Sequence, residues 1–265
     1  YFLQAIPKGI LTILDANDIV SERNESFFNY NYPPLESNIS KDDEFKLFNL
    51  YNRIIFVCKE DYEIAAKRLP KEKLIYAPHA VEIMRHRVRK RAKTIGFIAS
   101  CYLPNVDAII WFLKFLWPKL EKQNIKLNIY GDIGKIIPSY LLDGPNLNEI
   151  NLKGPKRKLD RVYDQVDIIV NPVRIGSGLK IKNVEAMANG ISLITTSHGA
   201  RGLEEGIDNS FYVADTISAF VEKLQFLIDN FEERKRLSCN SLNWMTSCFN
   251  EDKCFRDIKS LLKAK

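Results

Sequence analysis

Residues 176–190 read GSGLKIKNVEAMANG, and this stretch decides the fold. An apolar run at 168–170 precedes it and ends in Asn171-Pro172; a second apolar run, 191–195, follows it. The order is strand, glycine-bearing loop, helix, strand. Glycines let backbone N–H groups come close to a ligand. The helix behind them turns the positive end of its dipole into the loop, an arrangement that suits phosphate. Glu185 stands about one and a half turns into the helix, within reach of a hydroxyl-bearing group beside the phosphates. Lys180 and Lys182 crowd the helix start, where cations oppose the dipole unless an anion sits there. Ala186 and Ala188 leave room near the backbone. The alternative is a plain strand-to-helix turn, because the loop has neither the full GxGxxG order nor the GKS/GKT ending of a P-loop. The residues alone leave both readings open.

The 265 residues suffice for one large or two small domains. A hydrophobic content of 46% with 27% charged residues is that of a water-soluble globular protein. The net charge of +6 is mild, and its lysines and arginines are scattered, so no nucleic-acid partner is expected. The densest basic run, RHRVRKRAK at 85–93, reads first as a solvated linker. Contact with anionic lipid, a peripheral membrane association, or with an anionic acceptor is the alternative. The most apolar segment, AIIWFLKFLW at 108–117, is too short to span a bilayer and is broken by Lys114. No signal peptide is visible, but the chain starts at Tyr1 rather than Met, and the natural start is expected to lie elsewhere. Five cysteines without paired spacing fit reduced thiols and a cytoplasmic location. The three histidines lack metal-ligand spacing, and His198 reads as a loop residue capping Gly199. No Asp-x-Asp stands in a metal-binding context; Asp15 and Asp18 read as loop caps, with Arg23 helping to hold the same loop. No metal and no other cofactor is expected.

Apolar patterning predicts strands at 9–14, 53–58, 74–77, 94–100, 125–130, 147–152, 168–170, 191–195 and 210–213. Helices are predicted at 42–50, 60–69, 105–121, 158–165, 217–229, 232–245 and 252–265, and behind the glycine loop within 176–190. Strands alternating with helices imply an α/β fold with parallel, doubly wound sheets, whose ligands bind at the carboxyl ends of the strands. The charged stretch 82–93 divides the chain into 1–81 and 94–250, with a C-terminal helix at 251–265.

Several segments resemble the family 4, or group 1, glycosyltransferases, which have the GT-B fold. FIASCYLPNVDAIIWFLKFLWPKL (97–120) is similar to the first strand, loop and helix of their C-terminal domain, and IYGDIG (129–134) to the second strand and turn. The strongest part is LKGPKRKLDRVYDQVDIIVNPVRIGSGLKIKNVEAMANGISLITTSHGARGLE (152–204). LDANDIVSERNESF (14–27) and APHAVE (77–82) resemble segments late in the first domain and at the domain junction. The resemblance implies two Rossmann-like domains, the second complete and the first incomplete, with about half of it outside the sequence. It also implies that the 265 residues alone bind donor without turning it over.

The resemblance implies a retaining transferase that moves a sugar from a nucleotide-diphosphate sugar to a glycan or lipid-linked acceptor. Its setting would be surface-polysaccharide or glycan synthesis, in the cytoplasm or at the inner face of the membrane. Glu185 matches the glutamate that holds the ribose hydroxyls. The backbone at Gly176, Ser177, Gly178, Leu179 and Lys180 matches the loop facing diphosphate and sugar, and Gly154-Pro155 the loop against the base. Many members carry a second glutamate where Ser177 stands, and a basic pair where Ser100, Tyr102 and Asn105 stand. Both are absent here, which leaves Lys180 or Arg174 as candidates for the compensating, catalytically useful charge. A non-catalytic nucleotide-sugar-binding module and a nucleotide-sugar 2-epimerase of the same fold are the rival readings; the epimerase needs a different set of acids and histidines, and this chain is poor in histidine.

Overall fold

The computed structural model describes residues 5–7, 9–34, 38–120, 124–142 and 149–263. The chain divides into two compact units. The first comprises Tyr1–Ala80, Ile175–Leu179 and Glu251–Lys265, the second Val81–Arg174 and Lys180–Asn250.

Among the described residues, the first unit holds a three-stranded parallel sheet: β1 (Ile13–Ala16), β2 (Arg53–Phe56) and β3 (Leu74–Tyr76), in that spatial order. Three helices accompany it, α1 (Val20–Phe28), α2 (Lys41–Phe48) and α3 (Lys59–Ala66). The strand predicted at 9–14 begins later. Thr12 and Asn52 exchange side-chain and backbone hydrogen bonds of 2.9–3.1 Å, so regular pairing starts one residue on, at Ile13↔Arg53. Asp15 and Ala16 therefore lie in the strand and not in a polar loop. α1 was absent from the sequence prediction. Its N-cap, Ile19, offers no side-chain acceptor. The carboxylate of Glu44, buried on α2, accepts instead from the N–H groups of Val20 and Ser21 at 2.7 and 2.9 Å. α2 caps itself through Ser40 and packs Phe45 and Phe48 edge-on against each other and Phe56. Two short helices, α9 (Glu251–Cys254) and α10 (Arg256–Lys263), stand where one C-terminal helix was expected; residues 264 and 265 of that prediction lie outside the described residues.

The second unit is a six-stranded parallel sheet built from β4 (Thr94–Ile98), β5 (Lys126–Tyr130), β6 (Ile150–Gly154), β7 (Ile168–Asn171), β8 (Ser192–Thr195) and β9 (Tyr212–Val213). Their spatial order is β6-β5-β4-β7-β8-β9. The chain runs outward from β4 in one direction and then returns to lay β7 on its other side. The order therefore switches between β4 and β7, where ligands of such sheets bind. The strand predicted at 147–152 is shifted to Ile150–Gly154, and residues 147 and 148 lie outside the described residues.

The core of this unit gathers Phe97, Leu127, Ile129, Val170, Phe220 and Leu224 around the helices α4 (Leu103–Trp111) and α7 (Ile217–Asp229). The helix predicted at 105–121 starts two residues earlier and ends at Trp111. A π turn, Phe112–Leu116, and a 3-10 turn, Trp117–Lys119, continue it. Pro118 explains the unwinding, because it lacks the N–H that a regular helix needs. Glu121 lies outside the described residues. α5 (Asp160–Tyr163), α6 (Ile181–Ala188) and α8 (Phe231–Cys248) complete the unit.

The expected linker at 82–93 is irregular but is tied along the second unit. Met84 N–H donates to Ala188 O at 3.0 Å, and Arg89 pairs with the Asp167 carboxylate at 2.9 Å. Arg234, 1% exposed, sends its guanidinium to the carbonyls of Arg89 and Lys90 and to those of Leu227 and Ile228. A buried cation needs such acceptors, and here they belong partly to the basic run itself. No disulfide joins any of the five cysteines.

Candidate functional site

α6 is fixed at its C-terminus and along its inner face. Its C-terminus closes with paired hydrogen bonds, Gly190 N–H to Met187 O and Ile191 N–H to Ala186 O, both 3.0 Å. That motif places Gly190 at φ +66°, where a side chain is strained. Inward, Asn183 is fully buried; it accepts from the Asn171 amide and donates to Gly199 O, each at 2.8 Å. Ala186 and Ala188 are buried as well, so the helix packs closely. The N-terminus carries Lys180 as N-cap, with no side chain closing the first turn.

The outer face of α6 carries the chemistry. Glu185 is partly exposed, and its Oε2 accepts from the Tyr163 hydroxyl at 3.2 Å. Tyr163 is 1% exposed. Burial, and then the charge of Glu185, push its pKa well above that of a free phenol, so it stays a neutral donor. The i−3 pairing of Glu185 with Lys182 that the sequence allows is not made. Lys182 turns instead toward α4. Its ammonium donates to Asn105 Oδ1 at 2.6 Å and lies 5.7 Å from the Phe97 ring centroid. Asn105 is held in turn by Ser100, whose carbonyl accepts from its amide at 3.1 Å. The Lys182 side chain keeps some exposed area, yet its ammonium sits in dense surroundings. That desolvation, with Lys180 nearby, brings its pKa down to about 7.

Arg174 forms a two-pronged ion pair with Asp107, with bonds of 3.0 and 2.7 Å, and its guanidinium lies over the Trp111 ring at 5.0 Å. Its charge is balanced within the fold. At the ends of β5 and β6, Gly131 N–H donates to Gly154 O at 2.9 Å, while Pro155 is exposed. His198 is not the cap of Gly199, whose N–H donates to Thr196 Oγ1 at 3.0 Å. Thus Ser100, Asn105 and Lys182 meet at the helix starts that follow β4 and β7, with Lys180 in electrostatic range of Lys182, while Glu185 meets Tyr163 further along α6.

The candidates Gly176, Ser177, Gly178 and Leu179 group with the first unit. Gly176 and Gly178 have positive φ, 113° and 69°. Gly176 N–H donates to Ser26 Oγ at 2.9 Å, and the Ser177 hydroxyl donates to Asp18, which also pairs with Arg23 at 3.0 Å. Asp18 and Arg23 thus hold a loop.

Tyr163 and Asp107 were not singled out from sequence, and Lys182 was noted only as a crowding charge. The available signal was weak: a lysine two positions beyond Lys180, and an asparagine where a cation was expected.

The second unit is a Rossmann-like α/β module whose polar side chains gather where its strand order switches. The chain belongs to the family of group 1 glycosyl transferases, whose model matches residues 92–230. An uncharacterized 44.6 kDa protein in the cps region of Klebsiella pneumoniae is 24% identical over 244 residues, 86% of this chain and 60% of that protein. The crystal structure of TarM matches 98% of this chain with a TM-score of 0.78 at 14% identity. HepE of Anabaena, in complex with UDP and glucose, matches 96% of it with 0.70 at 10% identity. The pneumococcal O-GlcNAc transferase GtfA, in complex with UDP and GlcNAc, matches 84% with 0.69 at 14% identity. The chain covers 52% of TarM, 71% of HepE and 47% of GtfA. These matches show the GT-B glycosyltransferase fold. Among the described residues, no helix is long and apolar enough to cross a membrane.

Proposed function

We propose that this chain holds the donor-binding part of a retaining glycosyltransferase. The enzyme moves a sugar from a nucleotide-diphosphate sugar to a glycan or lipid-linked acceptor in surface-polysaccharide synthesis. The observation that carries this reading is Glu185, aimed by the buried Tyr163 hydroxyl and set one helical turn beyond the paired lysines Lys180 and Lys182. A carboxylate accepts from ribose hydroxyls, and cations beside it meet the diphosphate. UDP bound to HepE and to GtfA, and the cps-region relative, support the donor class and the pathway.

Glycosyl transfer builds negative charge on the leaving diphosphate, and preorganised cations and N–H groups at that point lower the barrier. In this reading Lys180 faces the diphosphate, the Gly154-Pro155 turn faces the base, and no metal ion is required. A peripheral contact with an anionic membrane face belongs to the same reading. It is supported by Arg85, Arg87, Lys90, Arg91 and Lys93, all exposed and in no ion pair among the described residues.

Calorimetric titration of the 265-residue protein with UDP, GDP, CDP and their sugars tests the donor assignment. Saturable binding of at least one is expected. Absence of binding at roughly millimolar ligand, an affinity of only about 4 kcal/mol, would overturn it.

A further inference from the structure

Lys182 is held under three unfavourable influences. Its ammonium is desolvated, Lys180 lies within electrostatic range, and it stands in the first turn of α6, where the helix dipole repels a cation. Against these stand one hydrogen bond to a neutral amide and the face of one ring. No carboxylate pairs with Lys182 among the described residues: Glu185 bonds Tyr163, and Asp107 bonds Arg174. A lysine ammonium has three N–H donors, and Asn105 accepts from one.

The position is as telling as the charge. Asn105 opens the helix after β4, and Lys182 opens the helix after β7. β4 and β7 are the adjacent strands at which the sheet order reverses. The Lys182–Asn105 bond therefore spans the crevice where an α/β sheet of this kind takes its ligand. An anion there would turn the desolvation and the Lys180 repulsion from costs into attraction.

We propose that Lys182, positioned by Asn105, is a second cation, beside Lys180, that engages the donor's diphosphate across the strand-order switch. This inference rests on the donor-binding reading above and gives a definite role and a positioning partner to a lysine that the sequence marks only as a crowding charge. Asn105 is a positioning residue: Ser100 orients its amide, and its Oδ1 orients the ammonium. Arg174, balanced by Asp107, is not needed for the role.

The test titrates the wild-type protein, Lys182→Met and Lys182→Arg with UDP, inorganic pyrophosphate and uridine. Lys182→Met is expected to weaken UDP and pyrophosphate binding about 10- to 100-fold, the scale of a lost charge-assisted hydrogen bond. It should leave uridine binding unchanged, and Lys182→Arg should recover part of the loss. Unchanged UDP affinity in Lys182→Met would overturn the role of Lys182 while leaving the donor reading intact. Equal losses for UDP and uridine would make Lys182 structural and overturn it as well. Failure of the wild-type protein to bind any of the three would instead overturn the donor reading.

If Lys182→Met does not fold, a measurement on the wild-type protein still decides. At about pH 8.5, above the pKa of this lysine, UDP binding should take up roughly one proton, read from the buffer dependence of the binding enthalpy. The charged and titratable groups facing the ammonium are Lys180 on its own segment, Glu185 and Tyr163 one turn away, and the Arg174–Asp107 pair beside α4. Tyr163, whose pKa burial holds above that of a free phenol, already carries its proton at that pH. Binding without proton uptake would overturn the proposal.

Discussion

The hydroxyl of Tyr163 donates to Oε2 of Glu185 at 3.2 Å, from a side chain that is 1% exposed. A buried donor with one carboxylate partner fixes the direction of that carboxylate. The Glu185 carboxylate accepts no other hydrogen bond among the described residues, and the residue is partly exposed. Glu185→Gln is expected to weaken nucleoside-diphosphate binding by about 1–3 kcal/mol, because the lost bonds are charge-assisted. Tyr163→Phe should weaken it by a smaller amount, about 0.5–1.5 kcal/mol, because the carboxylate remains but loses its anchor. Calorimetry on both variants checks the order, and a larger effect from Tyr163→Phe than from Glu185→Gln would contradict it.

The Arg174–Asp107 pair should act on stability and not on binding. Both prongs of the guanidinium meet the carboxylate, and Asp107 is 6% exposed. Removing one partner of a largely buried pair leaves the other uncompensated. Asp107→Ala is expected to cost about 2–4 kcal/mol in urea unfolding, below the fully buried case because Arg174 keeps some exposure. Arg174→Met should cost a similar amount, and nucleoside-diphosphate affinity measured on the folded fraction should change by less than about 0.5 kcal/mol. A tenfold loss of affinity with intact stability would return Arg174 to the ligand.

Gly131 is the tightest backbone contact at this end of the sheet. Its φ is +103°, and a Cβ there would lie 1.8 Å from the carbonyl oxygen of Ala99. That carbonyl is backbone and cannot swing aside. Gly131→Ala is expected to destabilise the protein by at least about 3 kcal/mol, combining a strained φ with a forced shift of the segment leading to Ser100. Thermal unfolding measures it; a change below about 1 kcal/mol would show that the segment yields freely.

Arg234 ties two chain segments together from the interior. Its guanidinium serves four carbonyls, those of Leu227, Ile228, Arg89 and Lys90. Burial lowers its pKa, and the charges of Asp167 and Asp229 offset part of that effect. Arg234→Met keeps most of the volume and removes every donor. A loss of about 3–5 kcal/mol is expected, and protease cleavage within 85–93 should rise because that run loses its anchor. Unaltered cleavage would mean that the Arg89–Asp167 pair alone holds the segment.

The parallel second sheet was legible because its central strands β4, β5, β7 and β8 are largely buried apolar runs, and buried runs state their own identity. The first helix was not, because its cap is Glu44, which comes from another helix, and a sequence window around Val20 contains no such signal. The anchoring of the 82–93 segment was not legible for a similar reason. Its charges are solvated as the sequence suggests, but two of its carbonyls answer to Arg234, over a hundred residues away. At the candidate site Glu185 and Lys180 stood out through their spacing from the glycines. Tyr163 did not, since it lies on a short helix before β7, and Lys182 showed only as a crowding charge, since it meets its partner 77 residues earlier in the chain.

Lys182 should leave a signature in the pH dependence of stability. Its folded pKa of about 7 lies below the ordinary 10.5. Below about pH 7 the lysine is charged in both folded and unfolded states, and the folded state bears the full cost of the desolvated ammonium. Between about pH 7 and 10.5 the unfolded chain keeps the proton that the folded protein has released, so unfolding takes up a proton and stability rises with pH. The slope from one such group is at most about 1.4 kcal/mol per pH unit, and less here because the side chain keeps some exposure. Lys182→Met lacks the group and serves as the reference. The stability of the wild-type protein minus that of Lys182→Met should therefore increase from about pH 6 to about pH 9 in urea unfolding. Saturating UDP should flatten that increase, because an anion beside the ammonium keeps it charged. A difference that is flat without ligand, or that falls as pH rises, would show that the ammonium is solvated and not poised for an anion.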